Sequence, residues 1–126
     1  MHRSRLTAIV IDCLPEHFES SVKFWAAALG VPTPRRPTAG QRYVHLKRPD
    51  SDVDVLVQKV EQDPGMHLDI ETDSLAAEVE RLEAAGATRK RKVKRWWVMR
   101  DPSGQAFCVV RNQGKGLLEQ QEPWPE

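Results

Sequence analysis

Two side chains two residues apart, His67 and Asp69, carry the clearest chemistry in the chain. They fall in residues 66–72, where apolar Met66, Leu68 and Ile70 alternate with polar His67, Asp69 and Glu71, the mark of a strand. Alternate positions share a face, so the carboxylate stands beside the imidazole, where it can orient the ring or form an acid–base pair with it. The competing reading is two polar side chains on a wet sheet surface. The two cysteines, Cys13 and Cys108, are too few and too far apart for a disulfide scaffold or a CxxC zinc cage. Their scarcity fits a reducing cytoplasm.

Six of the seven residues 89–95 are basic. Such a run is either a patch for a polyanion or a solvated edge strand, and strand alternation would divide its charges between two faces. With 19 basic and 18 acidic side chains in the whole chain, a solvated edge or anion-attracting rim is favoured over nucleic-acid binding. Adjacent Trp96 and Trp97 must face opposite sides of their strand. One is expected on a helix or partner, and Trp97 is assigned to wall a ligand pocket. No phosphate-binding loop, Ser-His-Asp constellation or zinc-finger spacing is visible.

The elements that must position these groups follow from 126 residues, 40% hydrophobic and 29% charged. This length suits one domain with a real core, and no apolar run reaches the roughly 20 residues a membrane helix needs. Residues 1–5 are basic but carry no signal-peptide core, so a soluble cytoplasmic setting is expected. The β-branched run 6–12 predicts a strand. Leu14, Phe18, Val22, Trp25, Ala26 and Leu29 predict an amphipathic helix stopped by Gly30. A Pro-rich loop over 32–40, with room for a short edge strand, precedes strands at 42–47 and 54–60, joined by the turn 49–52. After a linker at 62–65 the order restarts. The strand 66–72 is followed by a helix capped by Asp73 or Ser74, with Leu75, Val79 and Leu82 on one stripe and Gly86 at its end. Strands at 87–92, 95–100 and 106–111 complete the pattern, and residues 112–126 read as an irregular tail. Both halves thus show strand, helix, small-residue-plus-Gly stop, then strands, as a duplicated βαβββ unit would.

On these residues the chain resembles the vicinal oxygen chelate superfamily, in its glyoxalase-like and bleomycin-resistance-like domains. The matching stretches are Ile9-Val-Ile-Asp-Cys13 with Phe24-Trp-Ala-Ala-Ala-Leu-Gly30, His67-Leu-Asp-Ile-Glu-Thr-Asp73, Glu80-Arg-Leu-Glu-Ala-Ala-Gly-Ala87, and Trp97-Val-Met-Arg-Asp-Pro-Ser-Gly104 running into Phe107-Cys-Val-Val110. The resemblance implies an α+β fold of two βαβββ modules, about 5–61 and 65–111, within a single domain over 1–111. It further implies a curved, mostly antiparallel eight-stranded sheet with a concave pocket, and a homodimer.

Metal-dependent members of that superfamily hold a divalent ion with one residue from each of four strands. The corresponding positions here are Ala8, Gln58, His67 and Cys108. Ala8 has no donor, Gln58 is a weak neutral ligand, and Cys108 stands where a carboxylate is usual, so no metal or other cofactor is expected. A zinc or copper ion through His67, with Cys108 and Gln58, is the disfavoured alternative. By strand phase Leu6, Ala8, Val10, Leu56 and Gln58 line the pocket. The expected protein is therefore a cytoplasmic small-molecule protein, with His67 as acid–base, Asp69 as its orienter, and Ala8, Leu56, Gln58, Trp97 and Cys108 touching the ligand. If it is an enzyme, it does lyase- or isomerase-like chemistry on a small oxygenated metabolite. The alternative is a non-catalytic binder of the drug-sequestering kind. A membrane or nucleic-acid partner is not expected.

Overall fold

The computed structural model describes residues 1–32, 34, 35, 38, 40–48 and 51–125. The secondary structure is α+β, with seven strands and two α-helices among the described residues. These divide into two compact units, one of residues 8–66 and one of residues 1–7 with 67–126.

In the unit of residues 8–66, strand β1 (Ser4–Cys13, which begins in the other unit) leads through a short 3-10 turn at Pro15–His17 into α1 (Phe18–Leu29). Strands β2 (Tyr43–Leu46) and β3 (Asp54–Lys59) follow. Strand β3 pairs antiparallel with β2 and parallel with β1. The parallel pairing is possible because α1 carries the chain back across the sheet before β3 begins. One face presents Ile11, Cys13, Val44, Leu46, Val55 and Val57 to Phe18, Val22 and Ala26 of α1, and this cluster is the unit's core. Trp25 packs at its margin, as its place on the helix stripe predicts. Burial pushes the Cys13 thiol above its ordinary pKa, against a hydrogen bond with Ser21, which keeps it protonated.

In the unit of residues 67–126, β4 (Gly65–Thr72) leads into α2 (Leu75–Ala84), then β5 (Thr88–Val93), β6 (Trp96–Arg100) and β7 (Ala106–Arg111). Strand β7 returns parallel to β4, while β6 pairs antiparallel with both β7 and β5. Val79, Met99 and Val109 form the core beneath α2, with Leu75, Leu82, Trp97 and Phe107 packed against them. The Asp101–Gly104 turn is held by Asp101, whose Oδ1 accepts from the Ser103 amide and hydroxyl and from the Gln105 amide. The Ser103 hydrogen bond leads the interactions that hold the Asp101 carboxyl below its ordinary pKa.

The duplication is legible in the helix ends. Gly30 sits at φ 69° after α1, and the Val31 amide donates to the Ala26 carbonyl at 3.0 Å. Gly86 occupies the same place after α2, where the Ala87 amide donates to the Leu82 carbonyl at 2.9 Å. Both are the six-to-one closure of a Schellman motif, which needs a left-handed residue between helix and exit. Gly30→Ala is expected to cost about 1 kcal/mol, measured by denaturant unfolding. The loss is one of backbone conformation, since a Cβ there meets no atom within 4 Å. Ser74 caps the other end of α2, accepting from the Ala77 amide at 3.3 Å.

Three expectations are revised. Eight strands become seven among the described residues, because module one supplies β1, β2 and β3 where module two supplies four. The expected edge strand within 32–40 falls partly on positions outside the described residues, as does the turn at Pro49 and Asp50. The pairing within the units is mixed rather than mostly antiparallel, since the first and last strands of each module run parallel. The tail, finally, is anchored. It makes a 3-10 turn at Leu118–Gln120, buries Leu118, and bridges Trp124 to His2 with the Trp124 amide donating to the His2 carbonyl at 2.7 Å.

Candidate functional site

Strand β4 determines the site. Its odd-numbered side chains His67, Asp69 and Glu71 share one face, and parallel pairing sets Asp69 opposite Cys108 and Glu71 opposite Val110 of β7. His67 Nε2 lies 3.2 Å from Asp69 Oδ1, and both side chains are under a fifth exposed. One donor atom each from His67, Asp69 and Cys108 fall within 4.8 Å of one another. The phase argument from sequence therefore brings Asp69 to His67, and the β4–β7 register adds Cys108.

The hydrophobic alternation has the opposite sense from the usual one. Met66 and Leu68 are 57% and 46% exposed, while Glu71 is fully buried. Over residues 66–69 the polar face of β4 is the more shielded one, and beyond them both faces are covered, with Thr72 1% exposed on the α2 side. Glu71 meets this burial by facing Arg5 of β1, whose Nη1 is 3.5 Å from Glu71 Oε1, and by accepting from the Gln113 amide at 3.3 Å. Arg5 and Glu71 were not anticipated. The signal available was the parity of Glu71 with Asp69, which extends the polar row by one more carboxylate.

Asp69 Oδ1 is closed off from solvent and makes no hydrogen bond. A buried carboxylate oxygen in that condition is costly unless a positive group stands beside it, either a protonated imidazole or a cation. Imidazole nitrogen, carboxylate oxygen and thiolate sulfur form a donor set that suits zinc, with a fourth position left open. Ligand atoms around such an ion stand about 3.5 Å apart, close to the His67–Asp69 separation of 3.2 Å, and all three donors lie within 4.8 Å of one another. The residues fit a borderline-soft divalent ion. The carboxylate comes from Asp69, the residue that strand phase sets beside the histidine to orient it.

The remaining sequence-predicted residues lie elsewhere. Ala8, Leu56 and Gln58 belong to the unit of residues 8–66. There Ala8 pairs with Asp54, Leu56 with Val10 and His45, and Gln58 with Asp12 and Tyr43. All three occupy the face opposite the α1 core, as their phase predicts. The same face carries His45, whose Nδ1 is 3.7 Å from Asp54 Oδ2, and Tyr43 set edge-on to the His45 ring. Sequence reasoning missed this pair, because the hairpin register that joins them is not written in either strand alone. Trp97 is placed differently from expectation. It pairs with Val109 and packs under α2, whereas Val98 pairs with Cys108. Trp97 is thus on the opposite face from the His67 group, and by parity Trp96 shares the Cys108 side.

A family model for a glyoxalase-like domain matches residues 8–110. No curated protein matches. Among solved structures, an NAD-dependent benzaldehyde dehydrogenase from Legionella pneumophila is 11% identical at TM-score 0.62, covering 84% of this chain and 98% of that one. A hypothetical protein from Bacillus halodurans is 10% identical at TM-score 0.62, covering 90% and 97%. A methylmalonyl-CoA epimerase from Mycobacterium tuberculosis is 17% identical at TM-score 0.55, covering 87% and 89%. At such identities the likeness is one of fold. No helix among the described residues is long and apolar enough to cross a membrane.

Proposed function

Because the chain belongs to the glyoxalase-like domain family of the vicinal oxygen chelate superfamily, we propose that it acts on a small oxygenated metabolite through His67 and Asp69. The observation that carries this reading is the 3.2 Å approach of His67 Nε2 to Asp69 Oδ1 on a strand face largely withdrawn from water. Asp69, facing Nε2, orients the imidazole, and the ring accepts a proton from carbon or oxygen of the substrate. The imidazolium so formed is stabilised by the carboxylate and returns the proton at the end of the cycle. Cys108 borders the reacting region. The same reading keeps residues 1–111 as one domain, with the chain working as a cytoplasmic homodimer.

The test is turnover of a panel of small carbonyl and hydroxy acids. His67→Ala is expected to lower kcat/KM by about 100-fold or more while thermal unfolding stays unchanged. Saturable ligand binding with no turnover in the wild type would replace this reading with that of a sequestering protein.

One observation favours a second reading, in which His67, Asp69 and Cys108 hold a zinc-like ion. It is the buried Asp69 oxygen without a hydrogen bond. When bound, such an ion would polarise a substrate oxygen. Elemental analysis of protein purified without a metal-affinity tag separates the readings. Stoichiometric zinc that disappears in Cys108→Ser establishes the second. Full activity in metal-depleted protein establishes the first.

A further inference from the structure

The opposite face of the β4–β7–β6–β5 sheet, beneath α2, carries a second feature. A groove of about 820 Å³ is lined there by Thr72, Arg89, Lys92, Trp97 and Arg111, and by the first turns of α2. Three cations from two strands converge on it, and a break in strand alternation brings two of them together. Arg89 pairs with Met99, but the next pairings are Arg91 with Val98 and Lys92 with Trp97, so Lys90 is an extra residue in β5. Without that bulge Arg89 and Lys92, three apart, would point to opposite faces. With it both stand over Trp97, the Arg89 guanidinium carbon 5.1 Å and the Lys92 nitrogen 6.0 Å from the ring centre. Arg111, paired with Thr72, enters from β7 on the same face.

The charges of this groove are unevenly compensated. Arg89 is held by Glu83 through two hydrogen bonds of 3.0 and 2.9 Å. Two carboxylates also line the groove. Asp73 accepts from the Arg3 amide at 2.9 Å, and Glu80 acts on Arg89 together with Glu83. Lys92 and Arg111 have no carboxylate partner among the described residues. Both are exposed, so they carry charge without serving the core. The volume exceeds what an inorganic anion fills and falls within the range of small-ligand sites. Its walls offer the two parts such a ligand needs, cations for an anionic head and Leu75, Val79 and Trp97 for an apolar body.

We propose that this groove is a second ligand site, distinct from the His67 group, that takes an organic phosphate. Lys92 and Arg111 bind the phosphate oxygens by charge-assisted hydrogen bonds, with Arg89 fixed by Glu83 as the third positive wall. The ligand body rests against α2 and the indole edge. A free phosphate ion meets the same cations but leaves the apolar wall unused, so it binds more weakly at the same residues.

The test is calorimetric titration with phenyl phosphate at low ionic strength, with inorganic phosphate as comparator. The proteins are the wild-type chain, the double variant Lys92→Gln/Arg111→Gln, and His67→Ala. Wild type is expected to bind phenyl phosphate saturably and more tightly than inorganic phosphate. The double variant should lose about 30-fold in affinity with unfolding unchanged, and His67→Ala should bind as wild type. Absence of wild-type binding, or equal affinity in the double variant, overturns the proposal. So does binding lost in His67→Ala but kept in the double variant, which assigns the phosphate to the His67 group. A single-stranded oligonucleotide that binds through Lys92 and Arg111 while phenyl phosphate does not would overturn it in favour of a nucleic-acid surface.

Discussion

Glu78→Ala is expected to lower the free energy of unfolding by about 3–5 kcal/mol, because it removes one partner from a buried charged network. Glu78 of α2 is fully buried, and its carboxylate meets two basic groups. Arg81 binds it through both Nε and Nη2 at 2.8 Å, and His2 Nε2 lies 2.8 Å from Oε1. Around this centre the chain ends are tied. The Trp124 indole donates to Ser4 Oγ at 2.7 Å, and the Arg81 guanidinium stacks 3.9 Å from the Trp124 ring centre. Removing the carboxylate leaves Arg81 and His2 facing a site built for a negative charge, and loosens the contact that holds the tail.

The same group gives the stability curve an acid limb. Burial works to raise the Glu78 pKa, but hydrogen bonds from Arg81, His2 and Ser4 and the Arg81 charge outweigh it, and the net shift is downward from 4.5. A carboxyl whose folded pKa lies below its unfolded value stabilises the fold above the unfolded value. That contribution fades as pH falls through the folded value. Wild type is therefore expected to lose stability steeply on acidification below about pH 4.5, and Glu78→Gln to lose this part of the slope. Denaturant unfolding across pH 3–7 reads both. An unchanged acid slope in Glu78→Gln would remove this network as its source.

Phe18→Ala is the second large effect, with an expected cost of about 3–5 kcal/mol from lost burial and the cavity left behind. Phe18 opens α1 and is 3% exposed within the core of the unit of residues 8–66. Its ring also receives Lys59 from β3, with Nζ 5.0 Å from the centroid. The side chain thus joins the first turn of the helix to the last residue of the strand that α1 covers. Phe18→Leu keeps most of the apolar volume and should cost less than half as much. Equal losses in the two variants would point to the cation contact rather than the cavity. Urea unfolding monitored by far-UV circular dichroism measures both.

Much of the fold could be read from short stretches. The helix stripe through Phe18, Val22 and Ala26 and the glycine stops at Gly30 and Gly86 depend on neighbours within a turn or two. The structure reproduces each of them. Two of the three members of the candidate site were legible for the same reason, since the shared face of His67 and Asp69 follows from a spacing of two. The third, Cys108, is expected beside His67 from the family resemblance, and spacing alone does not place it there. Cys108 joins them through the parallel register of β4 and β7, which the α2 crossover and the turn at Asp101 determine together.

The basic run and the paired tryptophans show the limit most clearly. Composition and spacing alone establish six cations in residues 89–95, a balanced total charge, and two indoles that must face apart. Strict alternation then divides the cations and leaves the choice of tryptophan open. Pairing with β6 decides both. It places Lys90 in a bulge, turns Arg89 and Lys92 to one side, and assigns Trp97 to the helix face. A bulge arises where two strands of unequal local length must keep their hydrogen bonds, so its position depends on a partner strand and not on the residues that form it.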